Sequence, residues 1–488
     1  MMSDPVLELG GECSEPTAGG SVAEGPIRPT KLFIDLPSRE QLSFEPRCTD
    51  QFVAADAPVR ALDELMDALD YSAFEQCYRG GGRPAWSPKL MCKLLIFAYG
   101  QGIRSAREIA RRQEYDLRFM WLSHEERIDH QRLSEFRRKF PEQLRALFEQ
   151  TVRLGLEMGL TVLELVAIDG SKIAARAGRR TFDAEELRKA IDKALAEAEA
   201  TDAAEDAEHG DARGDELPAE LAKREGRLRK LQEARRALEG SGQKRVSLSD
   251  PEAPTQKIGG DKRPGYNPQL AVDQQSGLIV AQDVTQEQKD NRQFGPLAEQ
   301  TLHNTGVKPQ VTVGDRGYQS GENLRAAGKL GLNAFIAQQT PPESERFTQD
   351  DFEYDAEADE FTCPEGKRLS FRRTHRAEGG LQRLYATFAG DCRNCPLRER
   401  CISAKGKRRE LYVSDHAELT RQMRARMETD EGKAAMRARA ATVEPVFGVI
   451  KSVLGLRQFL LRGLAGARIE WTLCATALNL RKLAAATC

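Results

Sequence analysis

VTVGDRGYQS, residues 311–320, decides how the chain is to be read. Three β-branched residues, Val311 to Val313, run into Gly314; a carboxylate follows at Asp315 and another glycine at Gly317. Such a run reads as a strand that stops in a turn, because Asp and Gly punctuate strand ends by bonding the local backbone and tolerating positive φ. A turn alone accounts for Asp315; a functional reading needs partner carboxylates. The segment TVLELVAIDG, 161–170, ends the same way, on Asp169 and Gly170. Between the two, NPQLAVDQQSGLIVAQDVTQ (267–286) gives two apolar runs around a QQSG turn, a hairpin signal. A helix near FGPLAEQTLHNTG, a helix at GENLRAAGKLG and a strand at NAFIAQQT complete the series. Strand, hairpin, helix, strand, helix and strand in that order imply an α/β fold, a mixed sheet flanked by helices.

The rest of the chain sets the surroundings. At 488 residues it exceeds one ordinary domain, and length alone suggests roughly three units. Hydrophobic residues make up 40% and charged residues 30%, which excludes a membrane-embedded or wholly disordered protein. A net charge of −2 argues neither for nor against nucleic acid, since local patches matter more than the sum. The N-terminus lacks the basic and apolar regions of a secretory signal. The most apolar late segment, LAGARIEWTLCATALNL, carries Arg468 and Glu470 and is too short to span a bilayer. Those features predict a cytoplasmic protein. Six scattered cysteines, Cys13, Cys48, Cys77, Cys92, Cys474 and Cys488, fit reduced thiols there.

Residues 1–50 read as a flexible tail. Short helical patterns from 51 to 160, opened at Ser87-Pro88 and Ser105 and closed by glycines at 100 and 102, predict a compact helical domain. Between 102 and 139 there are ten Lys or Arg against seven Asp or Glu, and RLSEFRRKF ends on Arg137, Arg138 and Lys139. This end could grip phosphates or be a solvated charged face; both readings stay open. From 161 to 488 lies the α/β domain, with two insertions. In 183–239, Leu187, Ile191 and Leu195 in one arm and Leu221, Leu228, Leu231 and Leu238 in the other fit a helical hairpin with an acidic hinge. From 341 to 430 the composition is polar and cysteine-bearing.

A third acid comes from ATVEPVFGVIKSVLGLRQ, 441–458. At about 100° per residue, Val443, Phe447, Ile450 and Leu454 form one buried helical stripe. Glu444 and Lys451, seven residues apart, then point nearly the same way, and Pro445 fits a helix that starts or kinks at Glu444. Three carboxylates reaching one point suit hard divalent cations such as Mg²⁺, which take oxygen ligands and keep several waters. On its own, Glu444 is an ordinary exposed helix residue.

The segments VAIDGSKIAAR, VTVGDRGY and VEPVFGVIKSVLGLRQFLLRG together resemble the three acidic motifs of DDE-type transposases of bacterial insertion sequences, which share a ribonuclease-H-like core. The helical stretch 52–145 resembles the N-terminal domain of one large subgroup. The resemblance implies a metal-binding catalytic triad of Asp169, Asp315 and Glu444, with Lys451 contacting DNA near the cut. It further implies Mg²⁺, with Mn²⁺ able to substitute, double-stranded DNA as substrate at element ends and target, and a homodimer on DNA. One departure stands out. The family pattern places a tyrosine and an arginine ahead of the glutamate; the arginine position is Ala440 here, no tyrosine is present, and Arg439 is the nearest substitute, with Arg437 close by.

Two further features surround this core. Cys363, Cys392, Cys395 and Cys401, in FTCPEGKRL and DCRNCPLRERC, have a spacing that could wrap a structural zinc, free thiols being the alternative. Between 405 and 468, fourteen Lys or Arg stand against seven Asp or Glu, a surface suited to a polyanion. Lys451, Arg457 and Arg462 are the candidates nearest Glu444. The reading is therefore a DNA transposase that cleaves and joins strands. A nuclease on the same core and a non-catalytic repressor descended from a transposase are the rivals.

Overall fold

The computed structural model describes residues 38, 48–79, 84–209, 219–339, 346–377 and 380–487, with backbone alone over 198–209 and 219–225 and at 377 and 380. The expected tail lies outside these residues apart from Ser38 and the turn that starts at Cys48. Seven helices follow: α1 (Pro58–Asp67), α2 (Ser72–Glu75), α3 (Pro88–Gly100), α4 (Ala106–Tyr115), α5 (Leu117–Leu122), α6 (His130–Lys139) and α7 (Pro141–Glu157). Prolines open α1, α3 and α7, where their missing N–H costs nothing. The side chains of Asp116 and Asp129 cap α5 and α6. Of the scattered cysteines among the described residues, Cys48, Cys92 and Cys474 are free thiols, as expected, and Cys77 is disulfide-bonded, against that expectation.

The α/β part contains β1 (Leu165–Gly170), β2 (Ile173–Ala174), α8 (Ala184–His209), α9 (Ala219–Ser241), β3 (Thr255–Ile258), β4 (Asp261–Asp273), β5 (Ile279–Thr285), α10 (Phe294–Thr305), β6 (Val311–Gly314), α11 (Gly321–Lys329) and β7 (Ala334–Ile336). Across its middle the sheet runs β5-β4-β1-β6-β7. Strands β5, β4 and β1 are antiparallel neighbours, while β1, β6 and β7 are parallel. This is the mixed sheet of a ribonuclease-H-like core. Strand β1 is fully buried from Val166 to Ile168, as a strand covered on both faces must be. Its register with β6 pairs Ile168 with Gly314.

Helices α8 and α9 pack through Leu187, Ile191, Leu231, Ala234 and Leu238, whereas Leu195 is 42% exposed and does not join that seam. The chain stays helical through His209, so the first half of the expected hinge is helix; 210–218 lie outside the described residues. The cysteine-bearing stretch forms its own antiparallel sheet from β8 (Glu353–Asp355), β9 (Glu360–Thr362), β10 (Arg368–Ala377), β11 (Gly380–Ala386) and β12 (Glu410–Ser414), in the order β12-β11-β10-β9-β8. In the chain α12 (Arg398–Cys401) falls between β11 and β12. The sheet has a separate small core around Phe361, Leu369 and Tyr385.

Three helices close the chain: α13 (Ala417–Glu428), α14 (Asp430–Gly448) and α15 (Gly463–Thr487). A five-residue π turn, Val449–Val453, ends α14. The stripe Val443, Phe447, Ile450 and Leu454 is buried throughout. Pro445, however, lies inside a helix that begins at Asp430, so no helix starts at Glu444. Helix α15 is buried on nearly every side and ties the two halves together. Its Glu470 Oε2 accepts from Arg104 Nη1 at 3.1 Å, and Asn479 Nδ2 donates to Thr151 Oγ1 at 3.2 Å. One hydrophobic core accordingly runs from the N-terminal helices through the sheet. Among the described residues no helix is long and apolar enough to cross a membrane.

Candidate active site

Asp169 and Asp315 stand one step past the paired residues Ile168 and Gly314, at the same ends of two adjacent parallel strands. Hydrogen-bonded strands are about 4.8 Å apart, so the sheet itself brings the two carboxylates together. Each divides its oxygens in the same way. Asp169 Oδ1 accepts from the backbone N–H of Gly170 at 2.9 Å, and Asp315 Oδ1 from that of Gly317 at 2.8 Å. The turn chemistry expected of a strand-end Asp is therefore present, and it uses one oxygen only. The two Oδ2 atoms face Arg439 of α14, whose Nη1 and Nη2 lie 3.2 Å from Asp169 and 3.8 Å from Asp315.

Electrostatics follow from this crowding. Burial pushes the Asp169 carboxyl up to about 6; Arg439 opposes the shift, and the negative charges of Asp315 and Asp290 add to it. The Arg439 side chain is 12% exposed, yet neither its Nε nor its Nη1 makes a hydrogen bond. It is held by charge rather than by directed bonds. A cation already drawn to two carboxylates, each with one free oxygen, is the behaviour of a site that fits a hard divalent ion. Among the described residues, no three His, Cys, Asp or Glu side chains are gathered closely enough to hold one ion.

Glu444 is the member left out. It is exposed on α14, and no hydrogen bond or ion pair engages it among the described residues. Lys451, in the π turn, donates from Nζ to Ser171 Oγ, two residues past Asp169. Its ammonium is half-buried, and burial lowers its pKa while Asp169 opposes that shift. The π turn breaks the regular 3.6-residue rotation, so Glu444 and Lys451 are not simply stacked on one α-helical face.

The remaining sequence candidates are dispersed. Arg457 and Arg462 are exposed, Arg457 Nε donating to Lys451 O at 3.1 Å. Arg138 and Lys139 are exposed at the end of α6, where Lys139 Nζ lies 5.3 Å from the Phe140 ring centre. Arg137 is corrected: it is 4% exposed, and its Nη1 donates to Tyr99 Oη and to Arg104 O. That side chain fastens α6 to α3 and presents no charge to a phosphate. Cys363, Cys392 and Cys401 pack on the core of the small sheet without belonging to its strands, and Cys395 lies in the turn before α12. Burial raises the Cys401 thiol, Arg409 opposes the shift, and Cys392, Cys363 and Cys395 add to it. Cys363 Sγ accepts from the backbone N–H of Lys367 at 3.3 Å.

Sequence reasoning missed Asn267, Gln269 and Asp290. Gln269 faces Gly170 across the β1–β4 ladder, and its Nε2 donates to Asp290 Oδ1 at 2.7 Å. No local pattern marks them. Only the pairing of β4 with β1, and the return of the loop after β5, place them at the site.

The fold is the mixed sheet of a ribonuclease-H-like core, with two acids at the ends of adjacent parallel strands. Two family models match the chain: a Transposase DDE domain over residues 362–484 and a Transposase domain (DUF772) over residues 47–139. By these two matches, which leave residues 1–46 and 140–361 uncovered, the chain is similar to DDE-type transposases of the insertion-sequence kind. The first match spans Glu444, Lys451 and the four cysteines; Asp169 and Asp315 precede it. No curated protein matches the chain in sequence.

Proposed function

We propose that this chain is a transposase that binds duplex DNA at the ends of its element and catalyses Mg²⁺-dependent strand cleavage followed by strand transfer, using Asp169, Asp315 and Glu444. The observation that carries the reading is the placement of Asp169 and Asp315 on adjacent parallel strands with free oxygens facing one cationic group. Bound divalent ions would activate the attacking oxygen and stabilise the leaving one during in-line phosphoryl transfer. The chain's own part is positional. Asp169 and Asp315 present oxygens from a rigid sheet, Glu444 completes the set from α14, and the Lys451 ammonium pairs with a phosphate passing the strand ends. Arg457, Arg462, Arg138 and Lys139 supply sequence-independent phosphate contacts. Pairing of two DNA ends by a homodimer and a structural zinc on Cys363, Cys392, Cys395 and Cys401 belong to the same proposal. Mass measurement of the DNA complex tests the first, and total-metal analysis of the purified chain tests the second.

The decisive experiment is cleavage of a labelled duplex carrying the element's end, with Mg²⁺ or Mn²⁺, comparing wild type with Asp315→Asn. Metal-dependent nicking, lost in the variant by at least about 10²-fold while DNA binding persists, is the expected result. Cleavage without joined products would favour a nuclease, and binding without cleavage under either metal would favour the repressor.

A further inference from the structure

A fourth carboxylate reaches the strand ends. Asp290 lies in the connection between β5 and α10, outside all three acidic motifs. Its Oδ1 accepts from Asn267 Nδ2 and Gln269 Nε2, each at 2.7 Å. Both amides sit on β4 beside β1 and are buried, at 1% and 0% exposure. Gln269 Oε1 in turn accepts from the hydroxyl of Tyr318 at 2.5 Å, a fully buried ring in the turn after Asp315.

A loop carboxylate is ordinarily solvated and free to rotate. Two buried amide donors on one oxygen remove that freedom. The other oxygen, Oδ2, makes no hydrogen bond among the described residues, and the surrounding geometry aims it at the site. A methyl group on Gly317 would meet Asp315 Oδ1 at 2.9 Å and Asp290 Oδ2 at 3.1 Å. One on Gly170 would meet Asp290 Oδ1 at 2.8 Å. The residue after Asp169 and the second residue after Asp315 thus leave the room through which this carboxylate enters.

The count of ligand oxygens gives it work to do. Asp169 and Asp315 each spend one oxygen on the backbone, leaving two, and Glu444 is unengaged. A pair of hard cations about 3.5–4 Å apart can take a further carboxylate oxygen beside these, with water and substrate phosphate filling the rest of each shell. Arg439, a cation lying against both aspartates, independently marks the place as one that draws positive charge.

We propose that Asp290 is a fourth carboxylate of the divalent-metal site, offering Oδ2 to a cation jointly with Asp315. The inference rests on the metal-dependent reading of the site. It is tested by Mn²⁺ binding to the full chain, followed through the paramagnetic resonance signal of unbound ion, in wild type, Asp290→Asn, Asp315→Asn and Asn267→Ala. Asp290→Asn should weaken Mn²⁺ binding at least about tenfold, the scale of losing a metal-site partner. Asn267→Ala keeps the carboxylate but removes one tether, and should weaken binding severalfold with the fold intact, so the idea stays testable if Asp290→Asn fails to fold. Loss in Asp315→Asn with wild-type binding in the other two variants overturns the role of Asp290 alone. Equal binding in all four chains overturns the metal reading itself.

Discussion

Asp169 and Asp315 are held in a manner opposite to Glu444. The aspartates end neighbouring strands in a ladder whose register is fixed by buried faces on both sides, and a one-residue slip would turn every side chain over. Glu444 stands exposed on a helix, next to a proline and one turn before a π turn. Two of the three acids are therefore assembled by the fold, and the third is left to a segment whose hydrogen-bond ladder is already interrupted. The difference teaches how the metal-free chain limits carboxylate repulsion: two acids share the compensation of Arg439, and the third is kept in water.

The sharpest way to break that contrast is to compare Glu444→Gln with Asp315→Asn in two assays. Cleavage of an end-bearing duplex should fall at least about 10²-fold in both. Mn²⁺ binding without DNA should weaken about tenfold or more in Asp315→Asn and stay within about twofold of wild type in Glu444→Gln. Equal losses in the DNA-free assay would mean that Glu444 is already part of the assembled site. A smaller effect is expected at Arg439. Its guanidinium lies against both aspartates, with Nε and Nη1 making no hydrogen bond, so it competes with any added cation. Arg439→Gln should tighten DNA-free Mn²⁺ binding by roughly three- to tenfold, about the worth of a half-buried charge contact. Unchanged or weaker binding would show that the arginine supports the site instead.

The same contrast divides what was legible in the sequence. Periodicities are local, so the stripe Val443, Phe447, Ile450 and Leu454 could be counted off, as could the strands that stop at Asp169 and Asp315. Helix starts were less visible. The Ala- and Arg-rich run before Pro445 consists of strong helix formers, and it carries α14 straight through a proline that local rules make a boundary. In Arg137, Arg138 and Lys139, successive residues turn by about 100°, and nothing in a run of three basic residues tells which one faces Tyr99. Asp290 was invisible for another reason: it joins the site through the amides of β4, a contact set by sheet pairing and loop return rather than by any pattern around residue 290.

The smallest expected effect tests whether the burial at Asp169 is felt in solution. Its carboxyl titrates near 3.8 when unperturbed and about 6 in the folded chain, with burial as the main cause. Below about pH 4 both folded and unfolded chains hold the proton, and the native state carries no penalty from this group. As pH rises from 4 to 6, the unfolded chain ionises first, so stability falls across that window and levels off above it. Asp169→Asn cannot ionise and lacks this slope. The apparent Tm of the variant relative to metal-free wild type should therefore climb between pH 4 and pH 6, by a few degrees at most for a chain of this size, and then stay flat. Saturating Mn²⁺ should reverse the ranking above pH 6, because the cation stabilises the ionised wild type and finds no charge at residue 169 in the variant. A difference in Tm that does not change with pH would mean that water reaches Asp169 freely. The sheet would then align the two aspartates without drying them, and the contrast with Glu444 would be one of position alone.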